Sequence, residues 1–158
     1  MPRLLTFLPC EKVLFGENQS VSLIIVLSEF HFVVPSPEAI KNLPPKSGIP
    51  FRWVIFMQWE REGGDSNEQE FECSVAMTSE AGEVFFTNTA KFSFQPKDRI
   101  HRQIGNFDLV PVLPEGRYEL VVRQRKDESA EWIEASRYPV WVVYDPVPTQ
   151  GPVTASTT

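Results

Sequence analysis

The sequence predicts an all-β domain, a two-sheet antiparallel sandwich of about seven or eight strands, from three observations. Apolar residues recur with a two-residue period in segment after segment, which places side chains on alternate faces of strands. Turn residues separate these segments at short intervals. No segment carries the period of a long helix. Strands joined by hairpin turns without crossover helices imply two packed sheets. Periodicity alone leaves a small β-barrel as the alternative fold.

The first strand is expected over Leu4 to Leu14, with Pro9 tolerated only at an edge or a bulge. Gly16, Glu17 and Asn18 make the turn that follows. Val21 to Leu27 is apolar on both faces, which predicts a central, well-covered strand that Phe30, Phe32 and Val34 continue. From Pro35 to Pro50 the prolines predict a long loop with at most one helical turn around Glu38 to Asn42. Phe51 to Glu60 then turns Phe51, Trp53, Ile55, Met57 and Trp59 to the core. An acidic turn spans Glu62 to Asn67.

The clearest hairpin joins Phe71, Cys73, Val75 and Met77 to Val84, Phe86, Asn88, Ala90, Phe92 and Phe94 through a turn at Glu80, Ala81 and Gly82. Pro96 to Arg102 reads as a loop, and Ile104 to Val112 as a short irregular strand or crossover. Tyr118, Leu120 and Val122 face inward on the next strand, and the last strand runs from about Trp132 to Tyr144. Residues 1–145 therefore form one domain, and the Pro- and Thr-rich stretch 146–158 is expected to be a disordered tail.

Composition agrees with a single folded domain. At 158 residues, 42% hydrophobic and 23% charged, the chain can bury one proper core. A net charge of −6 argues against a phosphate-neutralising surface, so no nucleic-acid partner is expected. Two cysteines, Cys10 and Cys73, are too few for a disulfide framework and read as buried apolar side chains. The opening Arg3 to Cys10 imitates a lipoprotein signal only loosely: its apolar run is short and Pro9 precedes the cysteine. No stretch is apolar for the ~20 residues of a membrane span. The expectation is a cytoplasmic protein with no membrane partner.

The segment Leu113, Pro114, Glu115, Gly116, Arg117, Tyr118, Glu119, Leu120 resembles the corner of immunoglobulin-like and fibronectin-type sandwiches, where a Tyr hydroxyl anchors on upstream backbone. Together with Cys10, Glu11, Lys12, Val13 and with Ser22, Leu23, Ile24, the pattern is similar to a family of small uncharacterised bacterial β-sandwich proteins, over roughly residues 8 to 144. The resemblance implies a fold and no activity. Leu120 stands where secreted immunoglobulin domains carry a cysteine, which argues against an extracellular role.

Catalytic and metal chemistry find little purchase. His31 and His101 lie in different segments, far from the clustered ligands a metal needs. The turn at Asp65, Ser66, Asn67 and Glu68 lacks the alternating ligands of a calcium loop. Neither cysteine has a neighbouring base to activate it. Lys97, Arg99, His101 and Arg102 read as a charged loop. No catalytic residue, cofactor or metal ligand is assigned.

What folding leaves over is apolar surface. If Trp53, Ile55, Met57 and Trp59 face inward, Val54 and Phe56 face outward. Alternation also turns Val121 outward, and on the last strand either Trp141 and Val143 or Tyr138, Val140 and Val142. In an immunoglobulin-like arrangement these strands share one sheet, and Val54, Phe56, Val121 and Trp141 would form a protein-contact surface. The function expected is a non-enzymatic interaction module, acting through that face or the loop 35–50, with a protein partner or as a homodimer. The alternatives are an enzyme whose site assembles from chain-distant residues, and a secreted adhesin-like sandwich.

Overall fold

The computed structural model describes residues 1–18, 20–44, 47–63 and 69–147. In chain order its elements are β1 (Arg3–Phe15), β2 (Val21–Val26), β3 (Glu29–Val34), α1 (Pro37–Lys41), β4 (Gly48–Glu60), β5 (Glu70–Ser79), β6 (Val84–Ser93), β7 (Ile100–Pro111), β8 (Gly116–Arg125) and β9 (Ile133–Pro146). The strands form two sheets, in the orders β2-β1-β4-β7 and β3-β9-β8-β5-β6. The fold is a β-sandwich. All pairs are antiparallel except β3 with β9, which run parallel from Glu29↔Trp141 to Val34↔Pro146.

Alternation builds the core as the pattern demands. Trp53, Ile55, Met57 and Trp59 of β4 are buried against Phe71, Cys73, Val75 and Met77 of β5 and Leu120 and Val122 of β8. Trp53 stacks on Phe107 with ring centroids 4.4 Å apart and meets Phe30 edge-on at 4.9 Å. Trp59 stacks on Phe92 at 5.1 Å. Each such buried side chain stabilises by roughly 1.5–3 kcal/mol relative to exposure.

Pro9 lies within β1 yet costs no ladder bond. Its carbonyl accepts from Leu27 N at 2.9 Å, so its nitrogen points to the same side, where β2 has already ended. The single stretch expected from Val21 to Val34 divides at Leu27 and Ser28, where the chain passes from one sheet to the other. Leu27 N still bonds to β1, whereas Ser28 O accepts from Trp141 N of β9. Strand β3 therefore joins β9 rather than extending β2.

Three further expectations change. Of the two readings of Ile104 to Val112, the strand forms and the crossover does not, and the strand is longer than expected: β7 is twelve residues long and pairs with β4 from Gly48↔Pro111 to Glu60↔Ile100. It takes up the start of β4 from the expected Pro-rich loop and Ile100 to Arg102 from the expected charged loop. The helical turn does form: Ser36 caps α1 by accepting from Ala39 N at 3.3 Å, and Asn42 closes it. At the β5–β6 hairpin Gly82 takes φ +84°, which a glycine adopts without a Cβ clash. The tail expectation beyond Val147, and most of the acidic turn at Glu62 to Asn67, lie outside the described residues.

Candidate functional site

The four residues expected to share a contact face do not meet. Val54 and Phe56 sit on β4 in the four-stranded sheet, whereas Val121 and Trp141 sit on β8 and β9 in the other. Alternation tells which face of a strand a side chain takes, not which sheet the strand joins. Three of the four are also buried, with 8%, 3% and 2% exposure at Val54, Phe56 and Val121.

Their burial has local causes. Val54 lies between Cys10 and Asn106, and Phe56 between Leu8 and Ile104, so side chains on both adjoining strands flank them. Val121 lies between Ala76 and Arg137. The Arg137 guanidinium donates to Glu119 at 2.6 Å and to Glu134 at 2.5 Å, so an ion-paired side chain flanks that valine. Trp141 alone is exposed, at 47%, between Arg117 and Glu29 in register.

The exposed apolar surface lies elsewhere, on β2. This strand was expected to be central and covered; it forms one outer edge of its sheet, and Ile24, Ile25 and Val26 are exposed along it. Leu14 and Phe15 at the end of β1 extend the patch. An apolar strand with both faces hydrophobic reads as buried, and nothing in β2's own sequence says that it lacks a neighbour. Ile25 is 59% exposed and adopts φ +49°, the left-handed region that a β-branched residue avoids. That conformation costs on the order of 1–3 kcal/mol. No Lys, Glu or Pro stands in Val21–Val26 to guard the edge.

The opposite flank, between edge strands β6 and β7, holds a second feature. Phe86 meets Phe107 at 5.5 Å at one end, and Phe92 stacks on His101 at 5.1 Å at the other. Between these contacts the inward residues are small or amide: Asn88 and Ala90 on β6, Gly105 and Gln103 on β7. A cavity of about 240 Å³ opens there above Ile55, Met57, Cys73 and Val75. A Cβ at Gly105 would lie 3.2 Å from the Phe107 ring, so the glycine keeps this space open.

The cavity holds a thiol ill suited to nucleophilic work. Cys73 donates to Gln103 Oε1 at 3.2 Å, and burial pushes its pKa up to about 11. A carboxamide oxygen cannot take its proton as a base would. Cys10, in the other sheet, is also a buried free thiol with its pKa raised by burial. Among the described residues no group of three or more His, Cys, Asp or Glu converges as a metal site. No described helix is long and apolar enough to cross a membrane.

The Tyr118 hydroxyl donates to Pro114 O at 2.8 Å, the upstream backbone anchor that the corner motif implies. A comparison with protein-family models finds no match, and a comparison with curated proteins finds none either.

Proposed function

We propose that this protein is a non-enzymatic interaction module that pairs with a second copy of itself through the free edge of β2. The observation that carries this reading is the exposed run Ile24, Ile25 and Val26 on an edge strand without a charged residue. An antiparallel edge is self-complementary across a two-fold axis, and two uncharged copies of β2 meet without repulsion. Pairing would satisfy edge N–H and C=O groups and cover the isoleucines. The strained backbone at Ile25 supports a working role for this strand, since outliers of this kind cluster at functional sites. The Tyr118 corner supports an immunoglobulin-like ancestry for the sandwich.

Sedimentation of the wild type and Ile24→Lys at about 0.1 mM tests the reading. A dimer that becomes a folded monomer in the variant supports it. A wild type that is monomeric at that concentration, or a dimer indifferent to the lysine, overturns it.

A further inference from the structure

The flank opposite β2 holds the cavity between β6 and β7. We propose that the cavity between β6 and β7 takes a small, uncharged molecule with a compact apolar body and one amide or comparable hydrogen-bonding group.

Three observations fix that class. The aromatic contacts Phe86–Phe107 and Phe92–His101 stopper the cavity at both ends, so an extended peptide strand could not lie between β6 and β7 without parting them. The occupant is therefore shorter than the stretch they bound. A volume of about 240 Å³ exceeds the ~150 Å³ that holds a benzene ring, which suits roughly ten non-hydrogen atoms. The residues lining it carry no ionised group: the floor is Ile55, Met57, Val75 and a thiol, and the polar residues are Asn88, Gln103 and Asn106, of which the first two face inward. A charge brought there would lose its water without gaining a counter-ion. An apolar molecule with one amide would bury its body on the floor and exchange hydrogen bonds with a carboxamide, which both donates and accepts.

The site depends on small residues where larger ones would close it. Ala90 lines the cavity from β6 and faces inward opposite Cys73, so a larger side chain there is expected to fill part of it. The aperture at Gly105 serves the same end from β7.

Acetanilide, with ten non-hydrogen atoms, is the probe, and benzoate and benzylammonium are its charged counterparts. Titration is followed by the side-chain amide signals of Asn88 and Gln103 in proton–nitrogen correlation spectra. Saturable shifts are expected with Kd on the order of 1 mM, ordinary for a ligand of this size. Both charged probes, and acetanilide with Ala90→Leu, should bind at least tenfold more weakly, the variant retaining the β-type circular dichroism of the wild type. If Ala90→Leu unfolds, Asn88→Ala provides the comparison, with at least threefold weaker binding expected. Absence of saturable shifts up to about 20 mM acetanilide, equal binding of benzoate, or shifts unchanged by both substitutions would each overturn the proposal.

Discussion

Cys73 of β5 reaches across the open flank to Gln103 of β7, its thiol donating to the amide oxygen at 3.2 Å. This bond joins the two sheets where their edge strands stand apart. Because burial holds the thiol pKa near 11, the folded protein keeps a proton that the unfolded chain begins to release near pH 9. Stability linked to Cys73 is thus full below pH 9 and is lost as pH rises toward 11, by roughly 2 kcal/mol at pH 11. Cys73→Ser should flatten that part of the alkaline limb in urea titrations. Iodoacetamide at pH 8 should leave the folded thiols largely unmodified and alkylate them once urea unfolds the chain.

His101 gives the opposite limb. Its ring lies between Phe92 and Phe94 and opposite Trp59, and burial lowers its pKa despite the nearby Asp98. The unfolded chain therefore takes up a proton first as pH falls below about 6.5, and the folded state loses stability from there downward. Comparing melting temperatures from pH 7 to 5 should show a steeper fall for the wild type than for His101→Phe. Parallel curves would mean that the histidine is solvated.

At the corner before β8, Tyr118→Phe removes the hydroxyl that Pro114 O accepts while leaving the ring in the core. A loss of about 1 kcal/mol in denaturant unfolding is expected. A change below a few tenths would make the anchor incidental.

Phe56→Glu separates the two accounts of β4's outer face. With Phe56 at 3% exposure between Leu8 and Ile104, a carboxylate there loses its water among apolar neighbours, and destabilisation of several kcal/mol is expected. A variant as stable as the wild type would place Phe56 at an accessible surface instead.

Ile25→Asn should leave stability unchanged or raise it by up to about 1 kcal/mol, because asparagine tolerates φ +49° better than a β-branched residue. Thermal melts of dilute protein measure this apart from any association.

Much of this fold is legible from residue type because its cause is local. The face assignment of Trp53 to Trp59, the Glu80 to Gly82 turn and the Tyr118 corner each depend on neighbours a few residues away. Sheet membership does not. Whether β4 borders β8 or β7 rests on contacts forty or more residues apart in sequence, and the expectation of one face for Val54, Phe56, Val121 and Trp141 failed there. The same blindness made β2 look central: Ile24 and Ile25 have the composition of a buried strand and the position of an edge. The β6–β7 cavity was hidden for another reason. Its signal is Ala90 and Gly105 at inward positions, small residues that gain meaning only once β6 and β7 are known to stand across from each other.

The parallel pairing of β3 with β9 governs when this molecule can complete itself. Phe30 finds its register partner Val142 across more than a hundred intervening residues. During synthesis, β3 emerges early and must wait for the last described strand before its aromatic face is enclosed. Loop closure on that scale precedes any reward from the contact, so folding should be slow, on the millisecond-to-second scale of sandwich domains. Until β9 arrives, Phe30 and Phe32 remain open to other chains, a period of vulnerability that shortens as elongation quickens.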